Sequence, residues 1–468
     1  MKVSTFKRGL KLPTHKHATE GKPVELTPQP KEVSIPINQH FGAPNQSLVK
    51  AGDVVVRGQK IAEANSSAGP MTVPVHASIS GVVKKIEPRL QSNNTEGPCI
   101  IIEHDGNEAT AFMPPLDVMT CSHDEAIARL KDAGLTGMGG AGFPTHVKLN
   151  PPPAKHVDTL LANAAECEPY LTTDEALIGE KTDTLIKGIA IVMKITGVQQ
   201  AVIGMEDNKA EMVPVIEAAI ERAGLTGKAR VGLCKTRYPQ GGEKMLITVL
   251  TGREVPSGGL PMDAGCIVQN VGSLVAVAEA FTLGKPLIDR DLTVSGGACL
   301  MPKNIRAPIG TVFSSLPKEF IDVDHGKLRK ILFGGPMMGT AVPHMDIPIQ
   351  KNTSGVTLLT AEETYANAEG PCIHCARCVN TCPCRLAPAL INDALIAGDL
   401  DDALWAGLMD CIECGACTYM CPARIKLVQR FRVGKLRLRT RMAAQQAAQK
   451  AKADAAAKAA AAPAPAKA

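Results

Sequence analysis

Two stretches of the chain, PCIHCARCVNTCP ending at Pro383 and DCIECGACTYMCP ending at Pro422, carry one spacing, C-x-x-C-x-x-C-x-x-x-C-P. It is the spacing by which thiolates hold [4Fe–4S] cubanes. Three cysteines on a tight turn can face three irons of one cube. The fourth, one residue further on and followed by proline, turns away towards a neighbouring cube. This predicts one ligand set of Cys372, Cys375, Cys378 and Cys421, and a second of Cys411, Cys414, Cys417 and Cys382. A disulfide framework belongs to small chains in oxidising compartments. Zinc sites are built from pairs of C-x-x-C, not from two triplets each trailed by Cys-Pro. Cys384 fits no ligand position and is expected to be a small buried apolar residue.

A chain of 468 residues is too long for one core and implies several domains. Aromatic residues make up 3% of it, so the stacking platforms of single-strand nucleic-acid binders are missing, and no nucleic-acid partner is expected. The N-terminal MKVSTFKRGLKLPTHKHATEG has charge but no apolar core, which argues against a secretory signal. Apolar runs such as GIAIVMKITGV fall short of the ~20 residues that span a bilayer. The chain is therefore expected in the cytosol or on the cytosolic face of a membrane.

Residues from about 30 to 112 read as short strands broken by GD, RG and SG turns. They resemble the barrel-sandwich hybrid fold of biotinyl and lipoyl carrier domains. Where those domains present a lysine, this hairpin offers Pro74-Val75-His76-Ala77-Ser78, so no swinging arm is expected. His15 and His17 form an H-x-H pair, read as surface histidines more readily than as metal ligands. Ser122 and Glu125 form a capping box at the start of a helix that Gly134 should end.

The next stretch, GLTGMGGAGFPTHVKL, formally satisfies G-x-G-x-x-G at Gly137, Gly139 and Gly142. A dinucleotide fingerprint follows a strand, however, and here a helix comes first. What survives is physical: closely spaced glycines let backbone N–H groups approach a phosphate, and Lys148 is placed to add a charge. VDTLLANAA, QAVIGMED and ARVGLCK then read as buried strands separated by helical segments, implying a parallel sheet with its ligand at the carboxyl ends of the strands. Those ends carry Asn163 to Tyr170 (NAAECEPY), Tyr238 to Lys244 (YPQGGEK) and, later, Asn270 in VQNVGSL.

GMGGAGFPTHVKL, NAAECEPYLT, YPQGGEK and VQNVGSL, in this order and followed by two cubane motifs, resemble the RnfC component of the Rnf electron-transport complex. The α/β part is similar to the flavoprotein subunit of respiratory NADH dehydrogenase. The resemblance implies non-covalent FMN on Gly137, Gly139, Gly140 and Gly142, with Lys148 nearby. Asn163 and Glu166 would contact the flavin, Glu168 would border the nicotinamide of NADH, and Glu243 and Asn270 would close the pocket; Glu166 and Glu168 are the candidate catalytic residues. Met138, Ala165 and Gly242 depart from the respiratory pattern, where an arginine and two acidic residues are expected.

The implied organisation is multidomain α/β and β: a barrel-sandwich hybrid domain at 1–115, a Rossmann-like parallel α/β FMN/NADH domain at 116–285, and a β-grasp (SLBB-like) domain at 286–355. A helical two-cluster ferredoxin domain at 362–430 and an unstructured basic, then Ala/Lys-rich, tail at 431–468 follow. Within the cluster domain, Leu390, Ala394 and Leu395 are expected on one buried face and Trp405 in the core. The implied function is that of an NADH-oxidising electron-transfer subunit, peripheral on the cytoplasmic side of the bacterial inner membrane. It would pass electrons through FMN and two [4Fe–4S] clusters to membrane-embedded and peripheral partner subunits. The whole complex would couple NADH/ferredoxin electron transfer to ion translocation. A soluble NADH-dependent reductase of the cobalamin reductase type and a flavin-less cluster relay are the alternatives.

Overall fold

Ser122 accepts the Glu125 N–H while the Glu125 carboxylate takes the Ser122 N–H, so the helix His123–Asp132 starts where the capping box predicts. Gly134, at φ 68°, leads the chain out of it. The computed structural model describes residues 3–140, 142–364 and 368–460. The chain divides into two units, residues 1–366 and 367–468.

In the first unit, the three expected strands and a fourth form a parallel sheet in the order Ala229–Cys234, Gln200–Glu206, Thr159–Ala164, Cys266–Asn270. Alternate residues of each strand face opposite sides. Leu160, Ile203, Val231 and Ile267 join a core with the helices His123–Asp132, Thr173–Thr196, Val213–Arg222 and Val271–Thr282. Leu161, Val202 and Val268 pack on the other side against the helix Glu243–Thr251. Both faces are therefore covered, which is why the strands read as near-continuous apolar runs.

Residues 32–104 form two small antiparallel sheets around Val33, Ile35, Ile61, Val83, Ile100 and Ile102, and the hairpin carrying His76 closes the smaller one. A six-stranded mixed sheet completes the unit, in the order Val24–Leu26, Lys303–Pro308, Asp289–Ser295, Gly355–Leu359, Lys330–Phe333, Thr340–Val342.

The beginning of the chain reaches past the two small sheets of residues 32–104. Ser4 bridges in parallel to Cys234 at the edge of the α/β sheet, and Leu10 bridges to Tyr238. Val24–Leu26 then pairs with Asn304–Arg306. This leading strap belongs to the α/β sheet and the six-stranded mixed sheet, because its backbone groups find their partners there.

The second unit contains the short helices Arg377–Thr381 and Ala416–Met420, a helix pair Pro388–Ala397 and Leu400–Trp405, and a long helix Leu427–Ala460. Three expectations are corrected here. Trp405 is 86% exposed and not in the core, because its helix has six residues and buries Ala403 instead. Leu390 is 58% exposed, since the buried side of its helix is set by Ile391 and Asn392. The segment expected to be unstructured from 431 is helical to Ala460, as its alanine content favours; the final eight residues of that tail lie outside the described residues. Among the described residues no helix is long and apolar enough to cross a membrane.

The helices Thr173–Thr196 and Val271–Thr282 meet closely at Gly188, where an added Cβ would overlap the Leu274 carbonyl oxygen. Gly188→Ala is expected to destabilise by about 1–3 kcal/mol through overpacking. Gly179→Ala on the same helix, whose nearest neighbour would be Met212 Cε at 4.0 Å, should be neutral in thermal unfolding.

Candidate functional site

The carboxyl ends of the central strands bring most of the expected flavin residues together. Asn163 and Asn270 are register partners on adjacent strands. The glycine loop lies over Asn270: a Cβ on Gly139 would press on the Asn270 side chain at 3.2 Å, while Gly140 faces open space. The loop is closed by the Gly137 N–H donating to the Phe143 carbonyl (2.8 Å), and Gly142 sits at φ 66°. Met138, buried, donates its N–H to Ser273 Oγ, and Arg290 donates to the Met138 carbonyl. The Asn270 carboxamide caps the following helix through the Gly272 N–H and donates to Asp174. Asn163 Nδ2 donates to the Gly241 carbonyl (2.9 Å) in the YPQGGEK turn. The cradle thus has side-chain-free backbone and converging amides at a strand-end crevice, which fits a phosphate-bearing ring cofactor.

Lys148 does not stand free beside this loop. Its ammonium pairs with Glu243 (2.7 Å) and donates to the Val268 carbonyl (2.7 Å), so two expected pocket residues form one ion pair. Glu166 and Glu168 are likewise engaged within the protein. Glu166 is buried, with Lys209 at 3.1 Å, Lys16 at 3.7 Å and the Asp174 N–H at 2.8 Å. Burial pushes its carboxyl up, but Lys209 and Lys16 outweigh that and hold it below the usual range. Burial, reinforced by the Glu166 charge, pushes Asp174 up to about 6. Glu168 accepts the Met337 and Met338 N–H groups of the FGGPMMG turn (3.1 and 2.8 Å). Desolvation there raises its carboxyl to about 7, against the pull of those two donors.

Sequence reasoning missed Lys16, Lys209, Asp174, Glu206 and Arg290 in this cluster. Glu206 ends a buried apolar strand and was recoverable on that ground. Lys16 was not, because its partner lies 150 residues away. His15 stacks on Tyr170 with ring centroids 4.8 Å apart, placing the H-x-H segment against the NAAECEPY turn.

In the second unit the two cysteine loops have one backbone. Positive φ recurs at His374 and Glu413, at Ala376 and Gly415, and at Arg385 and Arg424, each pair 39 residues apart. Left-handed residues at these points curl the chain so that N–H groups turn inwards, as the Glu413 N–H does onto Cys411 Sγ (3.4 Å). Cys382, Cys411, Cys414 and Cys417 line one apolar cavity with Cys384, Ile391, Val428 and Phe431. Burial pushes the Cys417 thiol up, and Cys411, Cys414 and Cys382 push it further. Cys378 is raised by burial, with Cys421 adding to it. Cys382 thus lies with Cys411, Cys414 and Cys417, and Cys378 is close to Cys421. Cys384 is part-buried in the wall of that same cavity.

Among the described residues no three His, Cys, Asp or Glu close round a single metal ion. A cubane asks for sulfurs further apart, one on each of four irons, and crowded thiolates in an apolar pocket are the donors whose repulsion bound cationic iron offsets. The residues fit that group.

Two consequences are measurable. Glu166→Gln leaves Lys16 and Lys209 buried without their shared counter-ion, and should cost about 3–5 kcal/mol in denaturant unfolding. The Glu168 carboxyl keeps its proton in the folded chain to about pH 7 but loses it at the ordinary, lower pH when unfolded. Its contribution to stability is therefore full below the ordinary carboxylate range and lost as pH rises through about 7. Glu168→Gln should flatten that part of the stability profile between pH 5 and 8.

Residues 130–279 match the family described as the Nuo51 FMN-binding domain, and residues 4–107 match the RnfC barrel sandwich hybrid domain. The C subunit of the proton-translocating ferredoxin:NAD(+) oxidoreductase complex of Clostridium ljungdahlii is 42% identical, over 83% of this chain and 84% of that protein. Its counterpart in the Na(+)-translocating ferredoxin:NAD(+) oxidoreductase complex of Acetobacterium woodii is also 42% identical, over 93% of this chain and 97% of that protein. Among solved structures, NAD+-reducing [NiFe]-hydrogenase in the air-oxidized state aligns at 22% identity over 59% of this chain and 53% of that chain, with a TM-score of 0.46. With more than 90% of its length aligned to such a relative, this chain belongs to the RnfC family, the C subunits of ion-translocating ferredoxin:NAD+ oxidoreductase complexes.

Proposed function

We propose that this chain is the NADH-facing electron-transfer subunit of a membrane-bound Rnf complex, exchanging electrons between NADH, FMN and two [4Fe–4S] clusters and partner subunits. The complex as a whole couples electron transfer between NADH and ferredoxin to ion translocation. The observation that carries this reading is the pairing, in one chain, of a glycine cradle over Asn163 and Asn270 with a duplicated thiolate loop.

FMN, when bound, supplies the conversion between the two-electron hydride of NADH and single electrons. The chain's own residues set the conditions for it. Gly137, Gly139, Gly140 and Gly142 admit the phosphate end, Asn163 and Asn270, their carboxamides held by Gly241 and by Asp174 and Gly272, border the ring, and the Lys148–Glu243 pair borders the crevice. Glu166, held ionised by Lys209 and Lys16, is a fixed group on the flavin side, and Glu168, tied to the 337–338 backbone, borders the nicotinamide. Cys372, Cys375, Cys378 and Cys421 hold one cluster, and Cys411, Cys414, Cys417 and Cys382 the other. Residues 286–355 are read as the β-grasp (SLBB-like) domain and residues 362–430 as the helical ferredoxin-like domain. The chain sits peripherally on the cytoplasmic face of the inner membrane and docks on membrane-embedded subunits.

Anaerobically purified protein should hold one FMN per chain and about eight irons with as many sulfides. Stoichiometric zinc with no flavin would overturn the reading. The crossed ligand sets have their own test by electron paramagnetic resonance. Cys382→Ser should alter the cluster signal that Cys414→Ser alters, and Cys421→Ser the one that Cys375→Ser alters; the opposite pairing would show uncrossed sets.

A further inference from the structure

The apolar side of the long helix Leu427–Ala460 carries Val428, Phe431, Lys435 and Leu438. Val428 and Phe431 line the cavity of the second cysteine set, and Leu438 is fully buried. Lys435 continues that stripe one turn beyond Phe431 and is only 5% exposed. A lysine in an apolar stripe is ordinarily excluded by the penalty of burying its charge. Here its ammonium donates to the carbonyl of Cys411, a ligand, and pairs with Glu413 at 2.9 Å, two residues along the same loop. Glu413 is shared with Arg432 at 3.2 Å, so two cations face one carboxylate beside this loop. Burial pushes the Cys411 thiol up, and the Glu413 N–H and the Lys435 ammonium pull against it. At the matching position of the first loop stands His374, exposed, next to the exposed Cys375. Cys382, Cys414 and Cys417 are all buried.

We propose that Lys435 sets the reduction potential of the cluster held by Cys382, Cys411, Cys414 and Cys417, and of that cluster alone. The inference rests on the assignment of a cubane to those four cysteines. Adding one electron to a thiolate-held cube adds one negative charge, and burial makes that addition unfavourable. A fixed cation in the same low-dielectric surroundings offsets the added charge and raises the potential, by an interaction much stronger than the same pair would have in water. Lys435 is thus a counter-charge that keeps a deeply buried cluster reducible, while the more exposed first cluster has solvent for that task. Glu413 acts in the opposite sense, since it neutralises part of the cation's field.

The test is a redox titration of the full-length, cluster-loaded chain, followed by electron paramagnetic resonance with both cluster signals resolved. Lys435→Gln should move one midpoint to more negative potential, by about tenfold in the reduced-to-oxidised ratio, which is 59 mV for a one-electron couple. Glu413→Gln should move the same midpoint upwards, and Lys435→Arg should restore it towards the wild-type value. The other midpoint should stay fixed in all three. Intact signals with unmoved midpoints, or both midpoints moving together, would overturn the proposal. If Lys435→Gln fails to retain its cluster, Glu413→Gln decides alone, and the absence of an upward shift counts against it. A wild-type protein that shows no cubane signal would instead sink the cluster assignment itself, and this inference with it.

Discussion

A carboxylate buried with two ammonium groups organises the first unit. Glu166 follows a central strand, Lys209 follows its neighbour, and Lys16 arrives from the leading strap. None of the three could be buried by itself, since an uncompensated charge in the interior is far costlier than the pair. Their mutual need fixes where the strap crosses the strand ends, and so where His15 meets Tyr170 and how the NAAECEPY turn is held. The glycine cradle borrows its geometry from this cluster through Asp174, which takes a hydrogen bond from Asn270 and gives its N–H to Glu166.

The second unit solves the reverse problem, like charges held close. Its solution is a duplicated loop with left-handed residues at matched places, so that the Glu413 N–H faces the Cys411 sulfur and a helix-borne cation holds the Cys411 carbonyl. The two copies pack through Arg377–Thr381 and Ala416–Met420, and Cys382 of the first shares a cavity with Cys411, Cys414 and Cys417 of the second.

What could be read from the residues alone was whatever chemistry forces into local spacing. The thiolate grouping, the capping box at Ser122 and the apolar strands with carboxylates and glycines at their ends all belong to this class. Lys16 and the strap did not, because a pairing 150 to 280 residues long leaves no local trace. Leu390 and Trp405 were misplaced for another reason: a repeat of apolar residues identifies a helix, but in helices of six to ten residues the neighbours decide which side is covered. The helical tail was legible, since alanine is the strongest helix former, and low sequence complexity masked the signal.

The strap has a consequence for how the protein comes into being. Residues 3–26 are made well before the edges they complete, at 229–238 and 303–308, which emerge more than two hundred residues later. Until then the opening segment has no sheet to join, and the α/β layer has an open rim when it first collapses. Vectorial synthesis therefore makes this strap wait for sheet partners that are made much later. Long-range closures of this kind are slow, and they leave unpaired strand edges exposed while they wait.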